Sequence, residues 1–367
     1  MPLATSSREG KVRAPGAPVL AAALLLLLAV LSCSSNRGRL AYVATGEGVF
    51  AYRINRHSGA ASAVLGSPFV AKTSATTATS LAGIAVHSSD RFLYVTNQSD
   101  NTISKFTIDS LSGALTEMLP RTTTGLAPGP ILLDSSGSFL FVADQVSNDV
   151  SVFSVGSNGA LSPVSNASVG STPSGLALPS SGNFLFVAVP NFSAVYAFSV
   201  SSGSLSAVPG SPFLLTSGVA SAAIDPQGRF LYVPNPPQNT VSGFAIRAGG
   251  SLSPIPGSPF AAGTTPVAAG VDPSGSFLYV ANSGSTSLSQ YTIDSSSGAL
   301  TAITKTTATV GSNPRFLVFD PGAKILYVGN IGSRSISELT INSDGSLSST
   351  GNTIPLSSVP QALALTK

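Results

Sequence analysis

The sequence predicts an all-β chain folded as a seven-bladed β-propeller of four-stranded blades, and three observations carry that prediction. A short motif, clearest as VDPSGSFLYVAN over 271–282, recurs seven times, its hydrophobic core opening at Leu40, Phe92, Phe139, Phe184, Phe230, Phe277 and Ile325. The steps between copies run from 45 to 52 residues, the length of one blade, and no stretch after the N-terminal leader shows the 3.6-residue period of a helix. The two ends of the chain are complementary. Leu40 to Val43 begins as a second strand with no innermost strand before it, whereas 359–365 has the innermost pattern with no second strand after it. Three N-terminal strands and one C-terminal strand should therefore share a blade and close the ring over residues 40–367.

Within one unit, 265–271 is apolar throughout, as expected of an innermost strand covered on both faces, and Asp272-Pro273-Ser274-Gly275 turns it. Residues 277–281 form the second strand, followed by a turn at Asn282-Ser283-Gly284. Residues 288–293 (LSQYTI) alternate apolar with polar as a third strand, and a more polar outer strand runs through Ala299, Leu300 and Ile303. The Ser/Thr-rich stretch 72–80 reads as a longer connection inside the first unit and explains the step of 52. Repeats make this one domain, because each unit is a slice of a single ring.

Residues 1–32 read as an export signal. Arg8, Lys11 and Arg13 precede a short apolar core at 19–31 that falls below the ~20 residues needed to span a bilayer. The junction Val30-Leu31-Ser32-Cys33 resembles a bacterial lipobox and holds the only cysteine of the chain. The resemblance implies cleavage before Cys33 and acylation there, with 33–39 as a short tether and the membrane as a partner. Several acyl chains anchor stably where one is marginal. Ser34, rather than Asp, after that cysteine favours the outer membrane of a cell that has one. An ordinary secretory signal with an incidental cysteine is the alternative.

The full chain carries 18 basic and 15 acidic residues; without Arg8, Lys11, Arg13 and Glu9, 15 and 14 remain. No cluster of Lys and Arg survives in the mature part, so nucleic acid is not an expected partner. Charged residues are 9% of the chain against an average of ~25%. That scarcity removes most acid-base groups. The chain has no Gly-rich phosphate cradle, no G-x-S-x-G elbow, no calcium loop and no zinc or haem cysteine pattern, so neither a cofactor nor a metal is expected. It also has no tryptophan, which weakens the case for a carbohydrate-stacking platform.

Few residues remain as candidates. His57 and His87 fall in turns, the first aligned with Ser296 and the second with Asp272. Asp134, Asp225, Asp272 and Asp320 share a repeat position before a turn, where Asp accepts backbone N–H bonds. Asn97, Asp144, Asn235, Asn282 and Asn330 follow the FLYV-type strands. They suit tight turns and would also present a ring of amides and one carboxylate to a polyol or glycan. Arg315 begins an innermost strand, where a side chain can reach the mouth of a central channel. The equivalent positions are Ala82, Gly129, Ser174, Ala220, Val267 and Gln361, so Arg315 is the one cation and Gln361 a polar neighbour.

The repeated FLYVTN, FLYVPN and FLYVAN, the D-P-x-G turns at Asp225 and Asp272 and the trailing SGALT and GSLS segments resemble the YVTN-type propellers of the bacterial lactonase-like (6-phosphogluconolactonase-like) superfamily. The likeness covers about 40–367. A Gly-Ser-Pro-Phe element at Gly66, Gly210 and Gly257 reads as a turn with an aromatic plug. The resemblance implies His, Arg and Glu at the channel mouth in the enzymes, and Asn313-Pro314-Arg315 matches their Pro-Arg pair. Where they continue with His, this chain has Phe316. Two readings follow from these residues. The first is a lipid-anchored, non-catalytic propeller that binds a protein, glycan or other envelope component. The alternative is a lactonase-like hydrolase or cyclase acting on a sugar lactone or related acid through Arg315. A purely structural propeller that associates through apolar surface stands beside the first.

Overall fold

In the computed structural model the described residues are 1, 38–70, 80–305, 309–322 and 324–367. The leader, Cys33 and the tether up to residue 37 lie outside them, as does the 71–79 part of the Ser/Thr-rich connection. No described helix is long and apolar enough to cross a membrane. Residues 39–367 form one compact unit.

That unit contains seven antiparallel sheets of four or five strands. Blade 6 shows the plan: Pro266–Val271 innermost, then Phe277–Asn282, Ser287–Ile293 and Leu300–Ala302 outermost. Blades 4 and 5 add the short strands Phe213–Leu214 and Phe260–Ala261, which pair with the third strand. These are the Gly-Ser-Pro-Phe elements. The serine of each folds back, so that Ser211 Oγ accepts from the Ala197 N–H and Ser258 Oγ from the Gly243 N–H, both at 2.9 Å.

Blade 1 closes the ring as its two ends require. Arg39–Thr45, Gly48–Ile54 and Ala61–Ala63 combine with Pro360–Leu365, in the order outer, third, second, innermost. Ala41 faces Leu365 and Val43 faces Leu363 across that junction. Beyond it the Thr366 N–H donates to the Leu40 carbonyl at 3.0 Å. A closed ring has no long free sheet edge, which is what keeps a repetitive β-chain from pairing with its neighbours.

The apolar core is divided into seven clusters, each spanning two adjacent blades. One sequence expectation is corrected here. The innermost strands are not covered on both faces: Pro266–Val271 is half-buried along most of its length because one side lines the central channel. The fully covered strand is the second, as in Phe277–Asn282, and this explains why FLYV is the strongest repeat signal. It must satisfy packing on both faces at once.

Neighbouring blades interlock at one recurring point. The first residue of the FLYV-type core packs on a left-handed glycine in the outer turn of the next blade: Leu40 on Gly113, Phe92 on Gly159, Phe139 on Gly203, Phe184 on Gly250, Phe230 on Gly298 and Phe277 on Gly345. A Cβ at any of these glycines would collide with the side chain above it. In four of the six junctions the tyrosine two residues further on also donates to that glycine's carbonyl, from Tyr42, Tyr94, Tyr232 and Tyr279 at 2.7 to 3.0 Å. Each such bond contributes ~1 kcal/mol, and more is lost if the buried carbonyl is left unpaired.

Candidate active site at the channel mouth

The innermost strands carry a local irregularity that builds the site. In blade 7, Pro314 pairs with Asn330 and Phe316 with Gly329, so Arg315 is an extra residue in a β-bulge. The same shift leaves Val267 unpaired in blade 6 and Gln361 in blade 1, and takes Ala82 and Gly129 out of the ladder in blades 2 and 3. A bulge bends the strand and re-aims the side chain it displaces. Here it does so in five of the seven blades.

All seven repeat positions named from the sequence converge on one cavity of about 650 Å³: Ala82, Gly129, Ser174, Ala220, Val267, Arg315 and Gln361. Gln98 and Gln145, from the turns after two second strands, also line it, and Gln98 Nε2 donates to Gln145 Oε1 at 2.9 Å. Ser174 Oγ donates to the Ala220 carbonyl at 2.7 Å, which fixes the rim between blades 4 and 5. Arg315 is the only charged residue of the lining, is exposed to solvent, and among the described residues makes no ion pair or hydrogen bond. Phe316, where the lactonase-like pattern has His, packs its ring over Gly329. The mouth thus offers one free cation, amides, a hydroxyl and small apolar walls.

The ring of five residues after the second strands is not displayed to a ligand, which corrects the expectation for Asn97, Asp144, Asn235, Asn282 and Asn330. All five are at most 2% exposed. Asn97 Nδ2 donates to Thr102 Oγ1 and Ser104 Oγ, both at 2.9 Å, and Asn235 makes the same pair to Thr240 and Ser242. Asn282 uses Ser287 and Ser289; Asn330 uses Ser335 and Ser337. They tie the second strand to the third. The signal was present as a hydroxyl residue five and seven positions after each asparagine. Blade 3 departs from it: Asp144 is followed by Asp149 and accepts from Ser151 Oγ at 2.6 Å and from Thr124 Oγ1. Burial pushes the Asp144 carboxyl up to about 6, and the nearby Asp149 adds to the rise.

The turn aspartates behave as their position requires. Asp272 Oδ1 accepts from the backbone N–H groups of Ser276 and Phe277, and Asp134 Oδ1 from that of Phe139. Asp320 accepts from the Gly322 N–H and also holds Arg39 in a buried ion pair at 3.1 Å. His87 joins two blades by donating from Nε2 to the Gly137 carbonyl at 3.0 Å while Nδ1 accepts from the Ser89 N–H. His57 is exposed in the outer turn of blade 1. Neither histidine lines the mouth. No group of three or more potential metal ligands occurs among the described residues.

A closed ring of seven sheets with a cavity on its axis defines the class: a seven-bladed propeller. More specifically, the chain belongs to the family described as Lactonase, 7-bladed beta-propeller, which it matches over 33–177 and 222–362. Among solved structures it is similar to a putative 6-phosphogluconolactonase of Bacteroides fragilis, with 19% identity and a TM-score of 0.76 over 90% of this chain and 98% of that one. A putative 6-phosphogluconolactonase of Bacteroides uniformis gives 18% identity and a TM-score of 0.75 over 90% and 100%. The periplasmic gluconolactonase of Pseudomonas aeruginosa gives 20% and 0.75 over 90% and 99%. No curated protein matches the chain.

Proposed function

We propose that this protein is a lactonase-type propeller that takes a sugar lactone or the corresponding acid at the channel mouth, with Arg315 as the group that meets the developing negative charge. The observation that carries the reading is the convergence of seven equivalent positions on one cavity in which Arg315 is the sole charge among the described residues. Family membership and the lactonase names of the structural neighbours support this reading over a non-catalytic binding module.

The chemistry that the mouth can supply is limited and specific. Water adds to the lactone carbonyl, the carbonyl oxygen becomes an oxyanion beside the Arg315 guanidinium, the ring C–O bond breaks, and the leaving alkoxide takes up the proton that water released. A fixed cation at the oxyanion is worth ~10² to 10³ in rate. Among the described residues no imidazole or carboxylate lines the cavity, so proton transfer falls to water rather than to a positioned acid or base worth a further ~10² to 10⁴. Gln98, Gln145, Gln361 and Ser174 supply hydrogen bonds for sugar hydroxyls. Slow turnover is therefore the expected behaviour. Export through residues 1–32 and lipid attachment at Cys33 remain part of the proposal and would put this activity at the cell envelope.

The test is hydrolysis of a panel of sugar lactones, one of them phosphorylated, with spontaneous opening subtracted. The native chain should show saturable turnover, and Arg315→Ala should lose ~100-fold or more in kcat/KM. Absence of turnover from a well-folded chain returns the mouth to a binding role.

A further inference from the structure

The junction between the last blade and the first departs from the plug-on-glycine pattern of the other six. Between blades 7 and 1 the plug position is Ile325, shorter than the phenylalanine found there in five blades, and Gly59 of the next outer turn meets Glu338 rather than the plug. The tyrosine at this junction, Tyr327, interacts with the Glu338 side chain. Beside these residues lies a cleft of about 510 Å³. It shares no lining residue with the channel mouth.

The walls of this cleft hold four charged residues, Arg39, Arg56, Asp320 and Glu338. Arg39 is 6% exposed and pairs with Asp320 through Nε, while its Nη1 is buried with no hydrogen-bond partner. Glu338 is 5% exposed, accepts from Asn352 Nδ2 at 3.1 Å, and has its carboxyl raised by burial. Arg56 and His57 stand at the exposed side.

The charge pattern selects the occupant. An anion offered to Arg39 would also lie near the carboxylates of Asp320 and Glu338, and a cation offered to Glu338 would lie near Arg39 and Arg56. A hydroxyl group meets neither objection, because it accepts from one neighbour and donates to another. Ile54 and Ile325 add apolar wall for a C–H face. The volume lies within the ~300 to 1,000 Å³ of small-ligand pockets. We infer that the closing cleft is a second binding site, for a small uncharged polyol of about monosaccharide size. It is independent of the lactonase reading.

Calorimetric titration of the full chain with D-glucose, D-galactose and glycerol, and with acetate and tetramethylammonium as charged controls, tests it. Saturable binding of at least one neutral polyol, tighter than either control, is expected. Ile325→Phe, which restores the plug used by blades 2 to 6, should weaken it at least ~10-fold while leaving lactone hydrolysis unchanged. Glu338→Gln, the residue type that blade 6 has at this place as Gln290, should weaken it as well and guards against misfolding of the first variant. Arg315→Ala should leave it unchanged. No polyol binding, preference for acetate, or binding that survives Ile325→Phe but is lost in Arg315→Ala would overturn the proposal.

Discussion

The channel mouth and the closing cleft are both cavities of mixed polar and apolar lining in one ring, of about 650 and 510 Å³, yet they use charge in opposite ways. At the mouth one arginine stands exposed among neutral residues and, among the described residues, makes no ion pair or hydrogen bond. In the cleft, Arg39, Asp320 and Glu338 are buried, and the Arg39–Asp320 pair ties the last blade to the first. The difference teaches that a repeat protein can place function at two kinds of site. One arises where a repeat position is varied in a single blade, the other where the repeat itself is interrupted by closure.

The largest effect should come from removing what both cavities share. Deletion of 359–367 takes away the innermost strand of blade 1, with Gln361 of the mouth and the seam beside Arg39. We expect an open ring that aggregates, seen by light scattering; a soluble monomer melting like the full chain would break the comparison at its root.

Single substitutions should separate the two sites. Asp320→Ala leaves the Arg39 guanidinium buried and unpaired and should cost ~3 to 5 kcal/mol in denaturant unfolding. Arg315→Ala should stay within ~0.5 kcal/mol of the native chain, as surface changes do. Equal losses would mean that Arg315 is structural.

A buried acid without a cation sharpens the contrast further. Asp144 has a folded-state pKa of about 6, above its ordinary value, so the native state binds more protons than the unfolded one between about pH 4 and 6. Its contribution to stability is present at low pH and lost as pH rises through 6. Asp144→Asn should therefore be nearly neutral at pH 4 and stabilising by ~2 to 3 kcal/mol at pH 7, since the amide can donate to Asp149. A gain that does not grow with pH would contradict the assignment.

Much of this was legible in the sequence, for reasons that particular residues make plain. The FLYV core is visible because its strand is buried on both faces, and closure was visible because Leu40 lacks an inner strand that 359–365 supplies. The mouth was legible because Arg315 and its six equivalents keep one register. The innermost strands misled because apolar residues such as Val267 and Ala268 line a channel rather than a closed interior. Asn97 and its equivalents misled because a turn position looks exposed until the third-strand hydroxyls are paired with it. The cleft was not legible at all. Its groups come from positions 39, 56, 320 and 338, which only ring closure brings together.

The measurement that bears most directly on the central claim is the pH profile of lactone turnover by the native chain and by Arg315→Ala. The account predicts saturable activity that falls ~100-fold without Arg315 and shows no inflection between pH 5 and 8, because no group titrating in that range lines the mouth. A bell-shaped profile, or activity untouched by the substitution, would contradict it.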